Sequence, residues 1–184
     1  MAGYDYAVIV PDVDETRLPG EDPAAMVERL ARLKAGEVAA PDEAAVVAVD
    51  TTVVLDGEVI GKPRDGNDAV AILLRLSGRT HLVLSGWAVS VGSTAEVGVA
   101  PTAVTIRSID PSEATAYVAT GEPLDKAGAY ALQGEGVRLV ADLEGSRSNV
   151  MGLPLEAIVP ALDRAGVGRS GAVERRAEPD EPEE

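Results

Sequence analysis

The sequence predicts an α/β fold: a mixed, elongated, twisted sheet with helices along its flanks. Three observations predict it. Apolar runs of strand length alternate with segments whose apolar residues recur at helical spacing. Two strand-rich regions interrupt that alternation, which argues against a regular doubly wound sheet. A chain of 184 residues suits one domain with a real core, or two small lobes sharing one sheet.

In chain order, Tyr6–Val10 reads as a strand and Pro11–Thr16 as a loop. Pro19–Asp22 is a turn. Asp22-Pro23 then opens a helix, an N-cap followed by proline at the first helical position, and this helix runs to about Ala39. Ala44–Val49 is a continuous apolar run short enough for a buried strand. Val53–Leu55 and Glu58–Ile60 form a hairpin on the Asp56-Gly57 turn. Asn67–Leu76 is a helix stopped by Gly78. Thr80–Val91 and Thr102–Ser108 are strands around a loose connection of Gly, Ala and Pro. Asp110-Pro-Ser-Glu113 starts a helix with capping-box character, which ends at Gly121. Val137–Ala141 and Ser148–Val150 are short late strands, and Pro154–Arg164 is a closing helix. Residues 1–165 make the domain. Beyond it the composition turns to Gly, Arg, Pro and Glu, which predicts a disordered acidic tail over 166–184.

Composition narrows the chemistry. Hydrophobic residues make up 46% of the chain but aromatics only 3%, with no Phe, so Val, Leu, Ile and Ala must build the core. The absence of Cys excludes disulfides, thiolate metal sites and thiol nucleophiles. A single His excludes a multi-histidine zinc site, so any catalytic metal must take oxygen ligands, as Mg²⁺ or Mn²⁺ does. The net charge is −15, and −10 remains without the tail 177–184, which argues against a nucleic acid polymer as partner. It does not argue against a small anion, because a few placed cations dominate one cleft locally. No apolar run reaches membrane-spanning length, and the N-terminus lacks a basic signal-peptide region, so the expectation is a cytoplasmic protein without a membrane partner.

Several residues sit oddly for a bland core. Lysine is scarce: Lys34, Lys62 and Lys126 stand against 13 Arg. Lys34 falls within the apolar stripe Val27, Leu30, Ala31 and Val38. It either meets an anion there or snorkels to the rim. Asp50 interrupts the apolar stretch from Val46 to Leu55. It is paired, metal-bound or held over a cleft, or else it ends a strand by bonding the turn at Thr51-Thr52. Gly61-Lys62-Pro63 permits close backbone approach to a ligand, or is simply a turn. It is not a Walker loop, because the long glycine spacing is missing. Asp12-Val-Asp-Glu15 supplies oxygen ligands for a cation or is a solvated acidic loop. Asp125–Tyr130 and Leu132-Gln-Gly134 form a glycine-punctuated loop presenting Gln133, whose amide both donates and accepts, as reading a base edge requires. His81 reads as a satisfied structural residue.

The order of these blocks resembles the Maf family. Asp12–Glu15, Leu30–Ala35, Val49-Asp-Thr51 with Val53–Gly57, and Gly61-Lys-Pro63 come first. Leu76–His81, Tyr117–Tyr130, Gln133-Gly134, Glu144-Gly145, Asn149-Val150 and Gly152-Leu-Pro154 follow. The resemblance implies a Maf or inosine-triphosphatase-like fold with two lobes around a cleft, and commonly a homodimer. It implies cleavage of nucleoside triphosphates between the α and β phosphates with a divalent metal, Mg or Mn. It also implies a house-cleaning role and a link to septum formation. By resemblance Asp50 is the proton acceptor, Lys34 and Lys62 hold phosphate, and Glu15 with Asp50 places metal or water. Thr51 and Gln133 tune base choice, and the Asp50-Thr51 pair is similar to the branch acting on dTTP and UTP.

Family members also carry a strand and a Ser-x-Ser-Pro-Arg-type turn ahead of the segment that Tyr4–Glu15 resembles. A chain starting beyond that turn is expected to expose a sheet edge or groove. It is also expected to lose part of its phosphate clamp, with activity lower by roughly 10³-fold. The alternative function is therefore a catalytically impaired nucleotide-binding or regulatory protein of the same fold.

Overall fold

The computed structural model describes residues 3–41 and 43–169. Five strands form one sheet in the order β2-β1-β3-β4-β5, every pairing antiparallel. In chain order the elements are α1 (Pro23–Gly36), β1 (Ala45–Leu55), β2 (Glu58–Ile60), α2 (Gly66–Leu76), β3 (Thr80–Val91), β4 (Thr94–Ile106), α3 (Pro111–Val118), β5 (Val140–Glu144), α4 (Arg147–Val150) and α5 (Leu155–Arg164). The architecture is the expected α/β one, a long sheet with flanking helices.

Helix starts follow their caps. The carboxylates of Asp22, Asp65 and Asp110 accept the backbone N–H of Ala24, Asp68 and Glu113, each at 2.9 Å. The β1–β2 hairpin turns on Asp56-Gly57, both at positive φ, as a two-residue hairpin loop demands.

Alternation along the strands sorts the core into two layers. One face receives α1: Met26, Val27 and Leu30 pack on Val54 and Leu84. The other face is covered twice. Val53, Val83 and Val104 meet α2 and α3 at one end, while Trp87 and Val89 meet Ile158, Ala161 and Leu162 of α5 at the other.

Six expectations are corrected. Tyr6–Val10 is not a strand. It carries no regular secondary structure and has no strand partner among the described residues, and Val8 and Val10 are 79% and 89% exposed. Asp50 does not end a strand, because β1 runs through it for 11 residues. The loose connection between two strands is instead one continuous hairpin, β3–β4, registered from Val91↔Thr94 back to Thr80↔Thr105. Its Gly98 and Pro101 sit inside β4; Gly98 is small because Trp87 lies over it. Val137–Leu139 belongs to a 3₁₀ turn, with β5 starting only at Val140. Ser148–Val150 is helical, because Ser146 caps that turn through Asn149 N at 3.0 Å. The first helix also stops earlier than expected, at Gly36. The expected tail over 166–184 lies outside the described residues from 170 on; within them, Val167 N donates to Leu162 O and its side chain packs on the α5 cluster.

Between Ala45 and Thr52 the outer edge of β1 has no strand partner among the described residues, since β2 pairs only with Val53–Leu55. This stretch of edge lies alongside Asp50.

Candidate active site

Lys34 reaches the sheet because α1 lies directly on it. A Cβ at Gly86 would overlap the Val27 carbonyl, so glycine is what lets the helix backbone touch β3. Gly86 is the register partner of Asp50. One turn beyond the buried Leu30 and Ala31, Lys34 is thereby delivered over Asp50.

There its Nζ donates to Asp50 Oδ1 at 2.7 Å and pairs with Glu15 Oε1, also at 2.7 Å. The side chains of Lys34 and Asp50 are only 18% and 12% exposed, whereas Glu15 is 60% exposed. Burial by itself lowers the Lys34 pKa, but the hydrogen bonds and charges of Asp50 and Glu15 outweigh it, and the ammonium sits above its ordinary value. The lysine is thus firmly charged, and the trio carries one net negative charge. Of its two carboxylates, Glu15 is the one free to swing into solvent.

Asp50 and Thr51 are neighbours on one strand and so face opposite sides of the sheet. Thr51 Oγ1 shares a 2.7 Å hydrogen bond with Ser85 Oγ, its cross-strand partner. Ser85 is fully buried and donates to Asn149 O at 3.4 Å. Asn149, equally buried, ties α4 to the sheet through Val83 O, Ala100 O and Thr102 Oγ1. The Met151-Gly152 turn closes over this spot: a Cβ at Gly152 would lie 3.8 Å from Thr51 Oγ1. Gln133 reaches the same turn, its Nε2 donating to Met151 Sδ at 3.2 Å.

Lys62 stands exposed just past β2. Gly61 O accepts Gly128 N at 3.1 Å, which fixes this exit against the 125–129 turn. The Lys62 charge, after the nearer Lys126, helps lower the Asp125 carboxyl. The structure therefore unites Glu15, Lys34 and Asp50 in direct contact. It gathers Thr51 and Gln133 around one turn on the other face, and leaves Lys62 reaching into solvent beside their loop. Lys126 pairs with Asp125 at 2.6 Å.

Hard oxygen donors at the trio come from Glu15 and Asp50. Among the described residues no group of three or more His, Cys, Asp or Glu is placed to hold a metal. Any cation there would complete its shell with water or with oxygen atoms of a substrate, which is the usual habit of Mg²⁺. No helix among the described residues is long and apolar enough to cross a membrane.

Sequence reasoning missed Ser85, Tyr117 and Glu122. Ser85 looked like one more small residue in a strand. Its signal was register: only the cross-strand partner of Thr51 can hold that hydroxyl from the same face.

A sheet margin bearing a half-buried lysine between two carboxylates, with a polar loop on its other side, defines a charged site on an α/β scaffold. Residues 1–165 match the family described as Maf-like protein. The chain is 52% identical over 163 residues to the dTTP/UTP pyrophosphatase of Myxococcus xanthus (strain DK1622), covering 88% of this chain and 83% of that protein. It is 49% identical over 169 residues to the dTTP/UTP pyrophosphatase of Anaeromyxobacter sp. (strain Fw109-5), covering 89% and 81%. It is 47% identical over 164 residues to that of Desulfotalea psychrophila (strain LSv54 / DSM 12343), covering 87% and 84%. The chain belongs to the Maf family.

Proposed function

We propose that this protein is a nucleoside triphosphate pyrophosphatase that hydrolyses dTTP and UTP to the monophosphate and pyrophosphate. The observation that carries the reading is the Glu15–Lys34–Asp50 trio, at hydrogen-bond contact on the margin of β1. Relatives named for this activity support the substrate.

Water attack on the α-phosphorus needs a base, in-line placement and neutralisation of phosphate charge. Asp50, half enclosed and oriented by Lys34, accepts the proton of the attacking water. Lys34 exchanges its contact with the exposed Glu15 for a phosphate oxygen, acting as a point charge. Lys62 takes a second phosphate oxygen. Glu15 and Asp50 would hold a divalent cation, Mg²⁺ or Mn²⁺, whose two positive charges would turn the trio's net negative charge positive and so admit a triphosphate. Thr51 and Gln133 read the pyrimidine base. A homodimer, a cytoplasmic setting and a house-cleaning role linked to septum formation complete this reading. Mass in solution and cell fractionation check the first two, and division in a deletion strain checks the third.

Pyrophosphate release from dTTP, UTP, CTP and GTP with Mg²⁺ or Mn²⁺ tests it. The expected result is metal-dependent release biased to dTTP and UTP. A folded sample that binds dTTP without turnover would instead support the nucleotide-binding alternative. Asp50→Asn is expected to lower kcat by about 10³-fold or more while keeping nucleotide affinity; turnover near the parent rate would remove Asp50 from the mechanism.

A further inference from the structure

Gln133 lies on a loop whose backbone is pinned on both sides by side chains from elsewhere. Ahead of it, Ala131 N donates to the Tyr117 hydroxyl at 3.2 Å, and Leu132 O accepts from Arg147 Nη2 at 3.1 Å. Behind it, one carboxylate takes the load. Glu122 Oε2 accepts Glu135 N at 2.9 Å, and Glu122 Oε1 accepts Gly136 N at 3.0 Å and the Tyr117 hydroxyl at 2.8 Å.

The fit around Glu122 is close. Gly134, at φ +80, would drive a Cβ into the Glu122 carboxylate. Gly136 would collide with Ala131 O and the Tyr117 hydroxyl. Glycine is needed at both positions because the chain folds tightly over the carboxylate. Desolvation pushes the Glu122 pKa up, yet the N–H groups of Glu135 and Gly136 and the Tyr117 hydroxyl hold it below the ordinary value, so the group works as an anion.

We infer that Glu122, with Tyr117, is a positioning residue for base selection: its carboxylate sets the turn that follows Gln133 and so fixes where the Gln133 amide meets the base. The inference rests on the proposed role of Gln133 in that reading. Glu122 itself touches no substrate. The backbone is held at 131–132 and again at 135–136, so the Gln133 side chain projects from a fixed stem before ligand arrives, and pre-organisation of this kind acts on recognition.

The test uses Glu122→Gln and Tyr117→Phe in the full chain. In Glu122→Gln one oxygen still accepts Tyr117 and Gly136, but the new NH₂ faces the N–H of Glu135. Binding of non-hydrolysable α,β-methylene analogues of dTTP and dCTP is measured beside kcat and KM for dTTP and dCTP, melting temperature and amide exchange at 135. Expected are loss of protection at Glu135, a dTTP/dCTP preference about tenfold lower in binding and in KM, and kcat within about twofold. Tyr117→Phe is expected to show the same direction. A preference ratio equal to that of the parent, whatever the melting temperature, would overturn the inference and leave Glu122 a structural brace. A parent that binds dTTP over dCTP without turnover would defeat the pyrophosphatase reading while the binding ratio still decides on Glu122. A parent that binds the two analogues equally would overturn both the base-reading role of Gln133 and this inference.

Discussion

Lys34 and Asp50 each broke an apolar pattern, one on a helix and one in a strand, and the structure makes each the reason for the other. A charge on a core-facing position needs a partner, and that need is visible in the sequence alone. Glu15 was legible from the residues only as part of the acidic loop Asp12–Glu15, and family resemblance singled it out, because an exposed carboxylate in such a loop breaks no pattern. Glu122 was not legible at all: its partners are backbone N–H groups, and their convergence depends on the left-handed turn at Gly134. His81 is only half the satisfied residue expected. Its Nε2 meets the Tyr130 hydroxyl at 2.8 Å, but its Nδ1 is buried with no partner among the described residues. Burial pushes its pKa down to about 4 from 6.5. Above pH 6.5 both folded and unfolded chains are neutral there, and the native fold keeps its full stability. As pH falls from 6.5 toward 4, the unfolded chain takes up a proton that the native fold refuses. Stability should therefore drop by up to about 3 kcal/mol across that window and then level off. Urea titrations at stepped pH check this, and the step should vanish in His81→Gln.

The helices were read well at their starts, because an aspartate before the first turn states its purpose locally: α1, α2 and α3 all begin behind one. The errors fell on elements whose state is set from afar. Gly98 and Pro101 looked like a loop, but Trp87 and the long pairing with β3 hold them in a strand. The Ser-rich stretch before Val150 looked extended, but Ser146 and the buried Asn149 turn it into a helical turn. The contact of α1 with β3 gives the sharpest test at this scale. Gly86→Ala should destabilise by about 3 kcal/mol, since the added methyl meets backbone that cannot give way. Gly36→Ala, at the end of the same helix with open space around it, should be neutral or slightly stabilising. Urea denaturation of the pair separates a packing effect from a general intolerance of alanine.

Across the whole molecule, the expected sheet and its flanking helices are present, and the outer edge of β1 has no strand partner among the described residues for eight residues, roughly 26 Å of backbone. Tyr6–Val10 likewise has no strand partner among the described residues. Amide exchange should divide accordingly: the N–H groups of Tyr6–Val10 should exchange within the dead time of the measurement, and those of β3, paired on both sides, should be the slowest. Slow exchange at 6–10 would mean that the segment is covered in solution. The site at this margin has a further property. Asp50 and Thr51 are one residue apart, yet one looks toward α1 and the other toward Ser85 and Gly152. On the proposed roles, the sheet is a partition between the room where the anion would be handled and the room where the base would be read. Thr51 makes no contact with the ion pairs behind the wall, so on those roles an exchange at Thr51 would shift selectivity and leave the chemistry intact. A single residue inserted in β1 ahead of Asp50 would swap the two tenants.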